Sequence, residues 1–124
     1  GAPFEFQGKV IHGDKNGRKF GFPTANIAVK RNVLPIKGVF GVEARLNNTT
    51  YKGVANIGNK PTLDGVKPVI EVHLFDFEQQ IYGQRLNIRP LFKIRDEQKF
   101  GSVEELIAQI EDDVSSAKRQ FLNG

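Results

Sequence analysis

A basic, glycine-rich stretch near the start of the sequence has the composition of a phosphate-binding loop. Residues 13–21 contain three glycines together with Lys15, Arg18 and Lys19. Glycine lets backbone N–H groups approach anionic oxygens, and the cationic side chains add attraction. The stretch has no Gly-Lys pair followed by Ser or Thr, and it lacks the glycine fingerprint of a dinucleotide-binding βαβ unit. It therefore indicates either a phosphate-binding loop of another kind or the solvated tip of a hairpin.

Two polar residues directly after this stretch could bind one cation. Thr24 and Asn26 lie two positions apart on a segment that begins with Pro23 and continues with β-compatible residues. On an extended chain their side chains point the same way. A hydroxyl and an amide carbonyl are hard, neutral ligands that suit Mg²⁺ when phosphates and waters complete its octahedron. The alternative is a purely structural role in a transition from turn to strand.

Glu71 is a third candidate because it is a carboxylate within an apolar run, next to Ile70 and Val72. Partial burial of such a carboxylate would raise its pKa toward a value useful for removing a proton from a hydroxyl group. The alternative is a carboxylate on a barrel face that pairs with Lys or Arg. His12 and His73 are too few and too far apart to suggest a metal triad.

The elements that must position these residues are mostly strands. Alternating apolar and polar residues, or runs of β-compatible residues, predict them over 4–12, 23–29, 40–46, 51–57, 69–77 and, as one strand or two, 86–94. Asn47-Asn48 and Asp64-Gly65 offer turns, and the 69–77 run is apolar on both faces. Short strands with glycine-rich turns predict a mainly β fold, a closed antiparallel Greek-key-like barrel of about six strands, because closure removes exposed strand edges.

The periodicity changes near the C-terminus. Ser102 followed by Glu105 has the pattern of a capping box. The apolar residues then recur at steps of three or four, which predicts an amphipathic helix over about 102–122. Its apolar stripe consists of Leu106, Ile110, Val114, Ala117 and Phe121.

Length and composition narrow the class of protein. With 124 residues the chain can build one core, and we treat 1–124 as one domain. No window approaches the roughly 20 apolar residues of a membrane span, and the absence of Cys excludes disulfides and thiolate metal sites. The net charge of +4 favours polyanionic partners such as nucleotides or nucleic acid. We expect a cytoplasmic location and, since Met is absent even at position 1, a fragment of a longer protein.

An ordered set of motifs resembles the riboflavin kinase family over roughly residues 6–122, and the set is far more specific than any one motif. In particular the chain resembles the kinase module that forms the C-terminal half of bacterial bifunctional FAD synthetases. The motifs are Gly8-Lys9-Val10 through Gly13, Gly21-Phe22-Pro23-Thr24-Ala25-Asn26, Gly53-Val54-Ala55-Asn56-Ile57-Gly58 with Pro61-Thr62, Glu71, Tyr82-Gly83 and Arg95-Asp96-Glu97-Gln98-Lys99-Phe100.

The resemblance implies transfer of the γ-phosphate of ATP to the 5′-hydroxyl of riboflavin, which makes FMN. It implies that Glu71 is the catalytic base and that Thr24 and Asn26 hold the Mg²⁺ of Mg-ATP. From the residues alone, Leu74 would instead be a core residue, and Arg95 and Gln98 would be surface residues. By the resemblance, further ATP-binding residues are Gly13, Lys19, Pro23, Leu74, Asp76 and Tyr82, and flavin-binding residues are Arg95, Gln98, Phe100 and Glu105.

Two other functions are compatible with parts of the sequence. A small basic barrel could hold single-stranded nucleic acid on Phe side chains, although that role gives Glu71, Thr24 and Asn26 no task. The second function is that of a flavin-binding domain without transfer activity. The presence of Thr24, Asn26 and Glu71 argues against it. Bifunctional relatives also carry an N-terminal FMN adenylyltransferase half with a His-x-Gly-His motif. This sequence lacks that motif, so FAD synthesis is expected, if at all, only of the parent protein.

Overall fold

The computed structural model describes residues 5–11, 24–29, 36–77 and 81–123. Within these ranges six antiparallel strands form one closed barrel and are followed by one helix, which confirms the predicted fold. The elements are β1 (Phe6–Ile11), β2 (Ala25–Ala28), β3 (Gly38–Leu46), β4 (Thr49–Thr62), β5 (Gly65–Leu74), β6 (Arg85–Arg95) and α1 (Val103–Asn123).

The strands follow the order β1-β2-β5-β4-β3-β6 around the barrel, and β6 pairs with β1 to close it. β3, β4 and β5 are consecutive hairpin strands. β2 lies beside β5, and β6 lies beside β3, so each completes a Greek key with the same three strands. This topology brings β2, which precedes the hairpins, against β5, which ends them.

The barrel interior is filled by apolar side chains, most of them aliphatic. Along β1 the burial alternates strictly, with Phe6 and Val10 inside and their neighbours outside. Each large aliphatic side chain buried in this way contributes about 1.5–3 kcal/mol of hydrophobic stabilisation. The largest fully buried side chains are Ile57, Ile70, Leu86, Ile88, Val42 and Val72. Because the interior is packed, polar residues that alternate with these must project from the outer wall.

Several strand boundaries differ from the sequence pattern: β4 extends to Thr62 rather than 57, and β5 begins at Gly65 rather than 69. β5 ends at Leu74 rather than at 77, because the chain turns at Phe75 and Asp76, where Asp76 has a φ of 54°. The last segment forms one strand, β6, and Pro90 lies within it. The register with β3 shifts between Gly41 and Val42, and Val42 is the partner of Pro90. A bulge is one of the few places where a sheet accommodates a residue without an N–H group.

The helix begins as the capping pattern predicts. The Glu105 N–H donates to Ser102 Oγ at 3.2 Å, and the Glu105 carboxylate accepts from the Gly101 N–H at 3.0 Å. The predicted stripe faces the barrel, with Ala117 fully buried and the Phe121 ring edge-on to Phe92 at 5.1 Å between centroids. No helix in the described part of the chain is both long and apolar enough to cross a membrane.

The Ser102 cap yields a stability prediction. Ser102→Ala should lower the free energy of unfolding by about 1 kcal/mol, because it removes the acceptor for an N–H group at the start of α1. Ser115→Ala is the matched control, since Ser115 is exposed in the helix interior and Ala favours helix by up to ~0.5 kcal/mol. Urea denaturation measures both. Equal effects of the two substitutions would contradict the capping role.

Candidate active site

Three polar side chains form a row across the outer wall of the barrel. Asn26 on β2 is the register partner of Glu71 on β5, and Glu71 is also the partner of Asn56 on β4. Their sequence neighbours Ile27 and Ile70 are buried inside, so the three polar side chains project outward. Directly opposite residues have Cβ atoms about 4.5–5.5 Å apart. An amide, a carboxylate and a second amide therefore stand side by side.

The residues expected to bind the metal lie on the β2 side of this row. Thr24 directly precedes β2, two positions before Asn26, and both residues are half-buried. The predicted phosphate-binding residues Gly13, Lys19 and Pro23 lie outside the described residues. Within 5–11, 24–29, 36–77 and 81–123, no three His, Asp or Glu side chains cluster as a metal site. Thr24 and Asn26 offer neutral oxygens, the ligand type that suits Mg²⁺.

The residues expected near the adenosine lie at the end of β5 and in the turns that follow it. Asp76 is exposed in the turn that follows Leu74, and Tyr82 is 51% exposed in the turn before β6. That second turn is tied to β1, because the Gly83 N–H donates to the Val10 carbonyl at 2.9 Å. Leu74 is 6% exposed and belongs to the core, as its position in the strand pattern predicts.

At the other end of the row the barrel meets α1. Asn56 is the partner of Val39 on β3, and Val39 is the partner of Arg95 at the end of β6. The expectation that Arg95 is a surface residue is wrong, because its guanidinium forms a bidentate pair with the buried Asp113 of α1. Arg95 Nε donates to Asp113 Oδ1 and Nη2 donates to Oδ2, both at 2.8 Å. Gln109 Nε2 donates to the same carboxylate at 3.0 Å.

The segment of residues 96–101, between β6 and α1, lies against this end of the row. Arg95 Nη1 donates to the Asp96 carbonyl at 3.0 Å, and the guanidinium lies 5.7 Å from the centroid of the Phe100 ring. The Glu97 carboxylate rests on Gly58, where any Cβ would collide with it. Because Gly58 is two positions from Asn56 on β4, the segment covers the wall next to the polar row.

Sequence reasoning located some of these residues and missed others. Of the residues assigned to the flavin, Phe100 is half-buried beneath Arg95, whereas Gln98 and Glu105 are exposed. Asn56, Glu97 and Asp113 were assigned no role. For Asp113 a signal existed, since a carboxylate interrupts the apolar helix stripe. No local pattern could show that Glu97 rests on β4, because that contact depends on the path of the chain.

The closed Greek-key barrel thus carries two amides and a carboxylate in one outer row, with a hydroxyl-bearing residue just before β2. The sequence matches a family model described as riboflavin kinase over residues 1–121. It is 52% identical over 122 residues to the bifunctional riboflavin kinase/FMN adenylyltransferase of Haemophilus influenzae. The chain therefore belongs to the riboflavin kinase family. That alignment covers 98% of this chain and 40% of the Haemophilus protein.

Two solved structures share the fold. A protein of Streptococcus pneumoniae, described as a macrolide-efflux protein, superposes with a TM-score of 0.83 at 39% identity, over 90% of this chain and 37% of that one. The riboflavin kinase of Trypanosoma brucei superposes with a TM-score of 0.66 over 97% of this chain and 80% of that one. At 24% identity the second likeness shows the fold alone.

An ion pair between β6 and the segment of residues 96–101 gives a titration prediction. A hydrogen bond from Lys93, together with its charge, lowers the pKa of the Asp96 carboxyl below its ordinary value. Lys93→Gln should therefore raise the pKa of Asp96, and Lys99→Gln, also exposed in this region, should leave it unchanged. Carboxyl NMR titration measures both. Because the pKa of Asp96 is lower in the folded chain than in the unfolded chain, the pair stabilises the fold at pH values above the unfolded-state pKa. This stabilisation is lost as the pH falls through the folded-state pKa. An unchanged Asp96 pKa in Lys93→Gln would contradict the pairing.

Proposed function

We propose that this riboflavin kinase domain transfers the γ-phosphate of ATP to the 5′-hydroxyl of riboflavin, with FMN and ADP as products. The observation that carries the proposal is the register pair of Asn26 and Glu71. It sets a neutral amide beside a carboxylate on one wall of a chain that belongs to the riboflavin kinase family. The donor nucleotide and the acceptor alcohol can then meet at adjacent strands.

The donor would bind on the β2 side of Glu71. Thr24 and Asn26 would hold the Mg²⁺ of Mg-ATP, since both are half-buried oxygen donors two positions apart. The metal would neutralise negative charge on the transferring phosphoryl group. Gly13, Lys19 and Pro23 would contribute to phosphate binding, and Asp76 and Tyr82 to the adenosine site.

Glu71 would act as the general base. Its carboxylate accepts the proton of the 5′-hydroxyl as that oxygen forms a bond to the γ-phosphorus. The bond from that phosphorus to the bridging oxygen breaks at the same centre, and ADP leaves with the electron pair. Glu71 is half-buried on β5 between the outward amides of Asn26 and Asn56. Amide dipoles on both sides would help to orient the carboxylate, and positioning of this kind supplies much of the acceleration in phosphoryl transfer.

The parent protein would do more than this domain. The relatives from Haemophilus influenzae and Escherichia coli are named as bifunctional, and the chain spans about two fifths of their length. We therefore propose that an FMN adenylyltransferase unit accompanies this domain, and that the protein works in the cytoplasm. The nucleic-acid alternative has less support, because none of the Phe side chains in the described ranges is exposed as a stacking platform would be.

The proposal predicts Mg²⁺-dependent formation of FMN from riboflavin and ATP. Chromatography with fluorescence detection measures the FMN. Glu71→Gln should lower turnover by about 10²–10⁴-fold, the usual contribution of a general base, while Mg-ATP affinity changes little. Glu43→Gln is the matched control, because Glu43 is a half-buried carboxylate on the outer wall of β3. Turnover of Glu71→Gln close to wild type would exclude the base role. A folded wild-type chain that binds riboflavin without making FMN would instead be an inactive flavin-binding domain.

The metal assignment gives a separate prediction. Asn26→Ala should raise the Mg²⁺ concentration needed for half-maximal activity by about tenfold, as loss of roughly 1.4 kcal/mol of binding energy does. Asn48→Ala, in the exposed turn between β3 and β4, should leave it unchanged. Magnesium titrations at saturating ATP measure both. An unaltered Mg²⁺ dependence in Asn26→Ala would remove this residue from the metal site.

A further inference from the structure

The guanidinium of Arg95 is committed within the protein. Its Nε and Nη2 groups bind both oxygens of Asp113 at 2.8 Å, and the side chains of Arg95 and Asp113 are 19% and 5% exposed. Gln109, one turn earlier on α1, donates to the same carboxylate. Bidentate pairs of this kind fix the orientation of a guanidinium as well as its position. The helix therefore sets where the guanidinium points.

The guanidinium in turn holds the covering segment. Its remaining donor group, Nη1, binds the Asp96 carbonyl, and its face lies over the Phe100 ring. Between these two contacts, the Glu97 carboxylate rests on Gly58 of β4. Residues 96–100 thus follow a path fixed at both ends by one side chain.

This segment lies on the opposite side of Glu71 from the donor ligands. Register pairs run from Asn26 to Glu71 and Asn56, and then through Val39 to Arg95. In phosphoryl transfer the attacking and leaving oxygens lie roughly in line on opposite sides of the phosphorus. With Mg-ATP on the β2 side, the alcohol must approach from the β4 side, where residues 96–100 cover the wall.

We propose that Asp113 is a positioning residue for the acceptor site. Acting through Arg95, it holds residues 96–100 against β4, and the segment held in this way forms one wall of the site for the flavin alcohol. Asp113 itself contacts neither substrate nor the reacting atoms. Arg95 contributes by its fixed position rather than as a cation that pairs with a substrate group. The inference rests on the proposed function, which places the donor on β2.

Asp113→Asn tests the inference, because it keeps the size of the side chain but faces the Arg95 donors with an amide in place of the carboxylate. The dissociation constant of riboflavin, measured by flavin fluorescence in the presence of Mg-ADP, should rise at least about tenfold, which corresponds to ~1.4 kcal/mol. That of Mg-ADP alone, measured by calorimetry, should stay within about twofold of wild type. Asp112→Asn makes the same charge change at the exposed residue just before Asp113, and it should alter neither dissociation constant.

Gln109→Ala is the milder variant for the case in which Asp113→Asn does not fold. It removes one hydrogen bond to the Asp113 carboxylate and leaves the ion pair, so the riboflavin constant should rise about threefold. A purely structural role would lower the melting temperature and leave both constants of the folded protein unchanged, or weaken both substrates equally. Either result overturns the inference. Absence of FMN formation by the wild type would overturn the proposed function instead, because the binding constants are measured without turnover.

Discussion

The pairing of β2 with β5 is the constraint on which the site depends. β2 has four residues and is held between β1 and β5, and its inward Ile27 is 3% exposed. A register slip of one residue would turn Ile27 to the outer wall and carry Asn26 into the core. Such a slip is costly because it would bury an unpaired amide. Hydrophobic packing inside the barrel thus fixes Asn26 beside Glu71 outside it. Packing in the core therefore determines the geometry of the candidate site.

How far the sequence could predict this structure depends on the range of each interaction. Period-two and period-3.6 patterns are local, so the strands, the Asn47-Asn48 turn and the capped helix were predictable, as was the core position of Leu74. The order of strands is not local: that β2 lies against β5 depends on two Greek-key crossings. For the same reason Arg95 looked like a surface residue, since its partner Asp113 lies 18 positions away on another element.

Two ion pairs at the end of β6 show how burial changes what a charge pair does. Lys93 and Asp96 are exposed, so water and salt screen their attraction and the pair has little power to fix the chain. Arg95 and Asp113 are largely buried, and there the desolvation cost offsets much of the Coulombic gain. The buried pair is therefore better understood through its geometry. It defines one orientation of α1 on the barrel and one path for residues 96–100.

Because the barrel interior is packed with apolar side chains, the proposed function requires substrates to bind on the outer wall, which is convex and open to water. A phosphoryl-transfer site must exclude water, which would otherwise compete with the alcohol for the γ-phosphate. The barrel cannot supply that exclusion, so chain segments laid over the wall must do it. Residues 96–101 are such a cover on the β4 side, fixed by α1. In this arrangement the strands set the register of the candidate site, while the helix, through the pair of Arg95 and Asp113, sets the path of residues 96–100 over the β4 side.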